Sequence, residues 1–222
     1  MNLYDCISKD DISGATKLLE KGDNPNQLDE HGQTPLFRIV YNKTPRQMEL
    51  LKLFIDSGAN VNFERPDGTT PIFHAKGEIA ELLLDNGAKI EKKSKNGSTP
   101  LHYSLDVDTI KIFLKAGLSI NAKDDSLSTP LHTYVYFGSQ LVEFAITNGA
   151  DVNVKDKYGR TPLVCLAMTE GADENDNNDI IKTAQILIDA GADINSIDSE
   201  KKGAIDHAIE NDNSMLADWL RF

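Results

Sequence analysis

The stretch GADVNVKDKYGRTPL, residues 149–163, contains two signals that recur along the chain. The glycine that opens it is followed twelve residues later by a Thr-Pro pair. Four further Gly and Thr-Pro pairs keep this spacing, and a sixth glycine has another glycine where the threonine would stand. The spacing joins Gly22, Gly58, Gly87, Gly117, Gly149 and Gly191 to Thr34, Thr70, Thr99, Thr129, Thr161 and Gly203, respectively. The chain is therefore built from repeats that share a connector of constant length.

Each signal has a local structural meaning. Threonine caps a helix through its hydroxyl, and proline suits the first helical turn because no N–H is needed there. Each repeat glycine follows an apolar run such as Leu82-Leu83-Leu84, and glycine readily adopts the left-handed conformation that ends a helix. A second glycine two residues before the threonine predicts a turn or β-hairpin; it occurs as Gly32, Gly68, Gly97 and Gly159. The repeating element is predicted to be helix, turn, helix, glycine and hairpin.

These residues resemble the ankyrin repeat. Thr99-Pro100-Leu101-His102 and Thr129-Pro130-Leu131-His132 match the family's TPLH signature, and residues 149–153 match its Gly-Ala-Asp-Val-Asn segment. The resemblance covers the whole chain and implies an all-α ankyrin-repeat solenoid of about seven repeats in a single domain. It places a partial N-terminal repeat at 1–26, full repeats at 27–195 and a C-terminal capping repeat at 196–222. Stacked helices must then bury residues such as Leu83 and Leu114.

The repeats differ in length between Thr-Pro and the next glycine, where the distance ranges from 17 to 30 residues. The Thr70 and Thr99 repeats are short, which predicts a trimmed first helix or inter-helix turn. The out-of-phase Thr44-Pro45 is predicted to cap the second helix of the Thr34 repeat.

The Thr161 repeat carries an acidic insert, Glu170 to Asp179. It looks superficially like a calcium loop, but Asn178 stands where the sixth-position glycine is needed and Ala184 where the twelfth-position glutamate is needed. We expect a solvated flexible loop; weak cation binding and contact with a partner are the alternatives.

Composition excludes several classes of protein. The net charge is −12, from 35 acids and 23 bases, which disfavours binding to nucleic-acid phosphates. No apolar run approaches the roughly 18 residues of a membrane span, and the polar start, Met1 to Asp11, does not resemble a secretory signal. Two cysteines are too few for a disulfide framework. We expect a cytoplasmic monomer, or a protein delivered to a host cytosol by a route not visible here.

No motif for catalysis, metal or cofactor binding is evident. His102 and His132 occupy signature positions, where hydrogen bonds within and between repeats are the simplest role. Cys165 falls in a predicted helix and Cys6 lies five repeats away, so neither forms a nucleophile–base pair or a mutual disulfide. The glycines match no phosphate-binding loop. The sequence therefore predicts no enzyme, no cofactor and no metal site.

The remaining function is binding to another protein. The family's partners usually lie in the concave groove of hairpin tips and first helices. Carried over by position, the candidate partner-binding residues are Tyr41, Asp125, Ser126, Tyr136, Phe137, Lys157, Tyr158 and Arg160. Residues 112–222 hold 18 acids and 9 bases, a net charge of −9, which favours a basic partner surface.

Two alternatives to a general binding module stay open. One is a specific inhibitor of a basic enzyme, such as an immunity protein that neutralises a toxin, or a pathogen effector acting on a host protein. The other is an enzyme whose site follows no recognised motif.

Overall fold

The computed structural model describes the backbone of residues 2–170 and 174–221 and the side chains of residues 2–170 and 178–221. Within these ranges every regular element is a helix and none is a strand, which confirms the predicted all-α class. The predicted hairpins are tight turns. In one of them the Asp156 N–H donates to the Arg160 carbonyl at 3.0 Å and the Gly159 N–H to the Asp156 carbonyl at 2.9 Å. These bonds reverse the chain without a strand ladder.

The chain divides into two compact units. One comprises Met1–Lys95 with Asp108–Ala116 and is called the N-terminal unit; the other comprises Asn96–Val107 with Gly117–Phe222 and is called the C-terminal unit. In chain order the helices are α1 (Leu3–Ser8), α2 (Ile12–Glu20), α3 (Pro35–Tyr41), α4 (Gln47–Asp56), a 3₁₀ helix (Pro71–His74), α5 (Glu78–Asp85), α6 (Pro100–Tyr103), α7 (Val107–Lys115), α8 (Pro130–Tyr134), α9 (Ser139–Thr147), α10 (Pro162–Ala167), α11 (Glu174–Asp189), α12 (Ala204–Glu210) and α13 (Ser214–Trp219).

A ladder of asparagine side chains joins the start of each connector to the next repeat. The Asn153 amide donates to the Gly191 carbonyl at 2.8 Å, and its oxygen accepts the Asp193 N–H at 2.8 Å. Equivalent pairs of hydrogen bonds reach the following repeat elsewhere within each unit. The residues of this asparagine ladder are Asn26, Asn62, Asn121 and Asn153. Each asparagine stands four residues after its repeat glycine and pairs with backbone just after a helix end in the next repeat. A change in that four-residue spacing would therefore break the register.

The in-phase threonines precede helices as predicted. The Thr34 and Thr161 hydroxyls each accept the backbone N–H three residues on, at a long 3.4 Å, and proline follows at the first helical position. Thr44 does not cap α4: Arg46 is the residue before that helix, and the Thr44 hydroxyl donates to the Asp10 carboxylate at 2.8 Å. The prediction for Thr44 was therefore wrong, because its hydroxyl has a charged acceptor from the first repeat.

The short repeats are trimmed at their first helices, as predicted. After Thr70 the chain makes only a single 3₁₀ turn, and after Thr99 the helix α6 has four residues. The first helix of the Thr34 repeat, α3, has seven residues. Length variation is therefore absorbed where the first helix ends.

The core register differs by one residue from the expectation in α7. Leu83 of α5 is fully buried, as predicted, and so is Phe113 of α7. Leu114, in contrast, is only half-buried. The buried positions of α7 are Thr109, Ile110 and Phe113, spaced by three or four residues as one helix face requires.

The insert differs from the expected loop. Helix α11 begins at Glu174, so residues 174–179 lengthen its N-terminal end. Within the insert, residues 171–173 lie outside the described backbone and residues 171–177 outside the described side chains. The Asp179 carboxylate accepts the Ser139 N–H at 3.1 Å and the Ser139 hydroxyl at 2.6 Å. The last residue of the insert is therefore packed against the start of α9.

Candidate protein-binding surface

The signature histidines stabilise the backbone of the C-terminal unit. The Thr129 N–H donates to Nδ1 of His132 at 3.1 Å, so Nδ1 is an acceptor and Nε2 carries the hydrogen. Nε2 then donates to the Arg160 carbonyl of the next turn at 3.1 Å. Desolvation by burial lowers the pKa of His132, which favours this neutral form. His102 makes the same contacts with Thr99 and with the Ser128 carbonyl.

Successive turns are joined by backbone hydrogen bonds at their tips. The Lys157 N–H donates to the Ser126 carbonyl at 2.8 Å, and the Asp125 N–H donates to the Asn96 carbonyl at 3.0 Å. Asp125 is exposed and Ser126 is half-buried. Four of the predicted site residues therefore lie on two adjacent tips: Asp125 and Ser126 on one, Lys157 and Tyr158 on the next.

Tyr158 is held between two cations. The Arg160 guanidinium carbon lies 4.5 Å from the centre of its ring and the Lys157 ammonium 5.0 Å from it, both within the range of cation–π attraction. Arg160 is fixed by two bonds from its guanidinium to one oxygen of the buried Asp156 carboxylate, at 2.8 and 2.6 Å. The ring of Tyr158 remains 48% exposed, so this tip presents an aromatic surface flanked by positive charge.

Tyr136 and Phe137 follow α8 at the turn to α9. They are 46% and 55% exposed, so neither residue is enclosed in the core between the helices. The buried thiol of Cys165 lies near the Tyr136 hydroxyl and adds to the rise in the pKa of Tyr136 that burial causes. Burial raises the pKa of Tyr136 and raises that of Cys165 to about 11, so both groups are neutral. Tyr136 is therefore partly buried near its hydroxyl, while about half of the residue stays exposed.

Arg160 links these two parts of the surface. Its guanidinium contacts Tyr158, and its positive charge acts on both Tyr136 and Cys165. Seven of the predicted residues lie in the C-terminal unit, at the tips of two adjacent turns and at the turn after α8, and are together called here the tip–turn surface. They are Asp125, Ser126, Tyr136, Phe137, Lys157, Tyr158 and Arg160.

Tyr41 belongs to the N-terminal unit and is described separately. Its ring is 47% exposed and lies 4.7 Å from the His74 ring, centre to centre. Desolvation, helped by the charge of Arg65 and opposed by Asp67, lowers the pKa of His74 to about 4. Tyr41 therefore covers a neutral imidazole.

Sequence reasoning missed Leu127. It is 47% exposed at the tip between Ser126 and Ser128, with a φ of 59° that L-amino acids rarely adopt. The equivalent position is glycine in four other repeats: Gly32, Gly68, Gly97 and Gly159. The substitution was visible in the sequence, and it adds an exposed apolar side chain beside the tip–turn surface.

A family model described as ankyrin repeats (3 copies) matches residues 3–94, 42–124, 106–198 and 131–221, which together span nearly the whole chain. This chain belongs to the ankyrin repeat family. The predicted family and ankyrin-repeat fold are thereby confirmed. Domains of this family generally mediate protein–protein interactions and are typically non-enzymatic.

Relatives and a solved structure support this assignment. An ankyrin repeat-containing protein of Schizosaccharomyces pombe is 35% identical over 91 residues, covering 36% of this chain and 44% of that protein. An ankyrin repeat protein of Variola virus is 25% identical over 173 residues, covering 74% of this chain and 24% of that protein. This chain therefore spans less than half the length of either relative. The human ASB11 ankyrin repeat domain superimposes with a TM-score of 0.81 at 21% identity, covering 100% of this chain and 96% of that one.

The described residues hold no candidate membrane-spanning helix and no candidate metal-binding cluster. None of the helices there combines the length and the apolar character that crossing a membrane requires. No group of three or more histidine, cysteine, aspartate or glutamate side chains in that part of the chain is arranged to hold a metal ion.

Proposed function

We propose that this ankyrin repeat chain binds a partner protein through the tip–turn surface and performs no catalysis of its own. The observation that carries the proposal is the open face of Tyr136, Phe137 and Tyr158 on a rigid backbone. The Tyr158 ring is fixed by cation–π contacts with Lys157 and Arg160, and a side chain fixed in this way loses little conformational freedom on binding. Such rings are typical anchors of protein interfaces.

The test is affinity of a partner captured from the native source. Replacing Tyr136 or Phe137 with alanine should cost roughly 2 kcal/mol of binding free energy, about a thirtyfold loss of affinity. The control is Ile209→Ala, since Ile209 is also 50% exposed but is not a residue of the tip–turn surface. Wild-type affinity in a folded Tyr136→Ala/Phe137→Ala double variant would contradict the proposal.

The partner surface is proposed to be basic. The net charge of −9 in residues 112–222 supports this, although Lys157 and Arg160 make the tip locally positive. Exposed charges are screened over about 10 Å or less in ordinary buffers. Affinity should therefore fall as salt rises from about 50 to 500 mM, and Asp125→Asn should slow association more than it speeds dissociation. Affinity that does not respond to salt would exclude a basic partner.

A second candidate is specific inhibition of a basic enzyme, which the same acidic charge favours. Capture of one abundant basic enzyme, whose activity falls as the chain is added, would support inhibition. Several unrelated partners would instead support a scaffold.

The setting of this function is also proposed. The chain is taken to act as one cytoplasmic domain and as a monomer; its two cysteines, both free and buried, suit a reducing compartment. Tyr41 is proposed as a further contact residue from the N-terminal unit. Sedimentation of the purified chain at its monomer mass, and weaker binding by Tyr41→Ala, are the expected results.

A further inference from the structure

A cavity lies beside Phe137 in the C-terminal unit. Its volume is about 420 Å³, within the range of cavities that hold small molecules or single side chains. The turn after α8 forms one wall, through Val135 and Phe137, and α11 forms another, through Ile180 and Thr183. The walls are thus partly aliphatic and partly aromatic, and they fit a long apolar side-chain stem.

The charged groups of this cavity are acidic. Glu170 and Asp179 line it, and no lysine or arginine is among its described lining residues. Glu170 is exposed, and it also lines a neighbouring cavity of about 250 Å³ with Glu210 and Asp212. Asp179 is fixed in place by its two bonds to Ser139. The field at the opening therefore attracts a cation.

Thr183 supplies an independent observation. Its side chain is 1% exposed, and its hydroxyl has no hydrogen-bond partner among the described residues. Leaving a buried hydroxyl unsatisfied costs roughly 1–3 kcal/mol, and such groups in proteins are rare. Thr183 lines the cavity, but its hydroxyl oxygen is itself enclosed. A rotation about the threonine χ1 bond, which has two favoured positions in a helix, would present this oxygen to a donor that enters the cavity.

We infer that the cavity formed by Val135, Phe137, Glu170, Asp179, Ile180 and Thr183 binds a lysine or arginine side chain of the partner protein. This inference rests on the proposed protein-binding function and names the chemistry of one anchor residue. The stem lies along Val135 and Ile180 and beside the Phe137 ring, where a cation is attracted to the aromatic face. The charged head meets Glu170 and Asp179, and one of its N–H groups donates to the Thr183 hydroxyl.

The test uses methyl-labelled chain and three small probes in NMR titrations: the Nα-acetyl amides of lysine, arginine and norleucine. Norleucine has an unbranched aliphatic stem without charge, so it separates cation binding from apolar filling. At least one cationic probe should give saturable shifts of the Val135, Ile180 and Thr183 methyl groups, with a dissociation constant on the order of 1–10 mM. Norleucine amide should cause no saturable shifts below about 50 mM. That concentration is about an order of magnitude above the dissociation constant expected for a cationic probe.

The affinity of the cationic probe for single-residue variants shows which side chains it contacts. Glu170→Gln should weaken the cationic probe about fivefold, and Thr183→Val, which keeps the side-chain shape, should weaken it by a similar factor. Glu143→Gln removes the same charge from an exposed site on α9 that does not line the cavity, and should leave the affinity unchanged.

Three outcomes would overturn the inference: equal binding of norleucine amide, no methyl shift with either cation, or unchanged affinity in Glu170→Gln. The proposed function is tested separately by partner binding in the Tyr136 and Phe137 variants. A partner that needs those rings while the cationic probes fail to bind would refute only the cation cavity.

Discussion

Two sides of the repeats in the C-terminal unit differ in regularity. On the asparagine ladder, Asn121 and Asn153 make the same pair of bonds to the next repeat, within 0.1 Å of one another. At the ends of the first helices the repeats differ: α6 stops after four residues, whereas α8 is followed by two exposed aromatic residues. The regular side holds the repeats in register. The variable side is thereby free to differ in length and side chain, and it carries the candidate site.

The largest expected effect tests the helix register on which this comparison depends. Leu83→Ala removes a fully buried side chain from α5 and should lower the free energy of unfolding by about 2–5 kcal/mol. The matched control is Leu114→Ala. Because Leu114 is only half-buried in α7, this change should lower the free energy of unfolding clearly less. Chemical denaturation of both variants measures the difference. An equal or larger cost for Leu114→Ala would show that the face assigned to α7 is wrong.

A second pair of variants sets the two sides against each other. Asn153→Ala removes both ladder bonds and should cost about 1–3 kcal/mol of folding stability, at roughly 0.5–1.5 kcal/mol for each hydrogen bond. Phe137→Ala on the variable side should cost less, since that ring is 55% exposed. Urea denaturation at fixed pH decides the order. If Phe137→Ala were the more destabilising change, the turn after α8 would be structural rather than a binding surface.

The sequence predicted the regular side of the repeats better than the variable side, for physical reasons. The connector requires particular residue types, such as glycine and threonine, at fixed positions because of its backbone geometry. The constant spacing of these residues therefore located the connector in the sequence. The exposure of Tyr136 could not be predicted from spacing, because it depends on how its side chain lies relative to the next repeat, where Cys165 is buried. The cavity beside Phe137 was missed for the same reason: its walls come from segments some 40 residues apart, and the insert that contributes Asp179 was expected to be a loop.

In the N-terminal unit, His74 stands at the end of the short first helix of its repeat, and its titration tests that position. The pKa of His74 is about 4, below its usual value of 6.5, so between these values the unfolded chain binds the proton more strongly. Stability from this group is present above about pH 6.5 and is lost as pH falls towards 4. With allowance for solvent screening of a partly exposed ring, the loss should be about 1–2 kcal/mol.

His74→Phe is the matched variant, since it keeps a ring against Tyr41 without a titrating group. The stability difference between wild type and variant, measured from pH 7 to pH 4, isolates His74 from the carboxylates. A difference that stays constant across this range would show that the imidazole is already open to water in the folded chain.

The smallest expected effect concerns the insert, where the variable side is longest. Deleting residues 171–178 removes the start of α11 but keeps both Glu170 and Asp179. The two bonds from Asp179 to Ser139 should re-form, because α11 from residue 180 onward packs against α9. The melting temperature should therefore change by no more than a few degrees, where about 1 kcal/mol corresponds to roughly 2–4 °C for a chain of this size. Asp179→Ala in the full chain is the comparison, because it removes both bonds while the insert stays. If the deletion lowers the melting temperature more than Asp179→Ala does, residues 171–178 themselves stabilise the fold. The length of the variable side would then be constrained by stability.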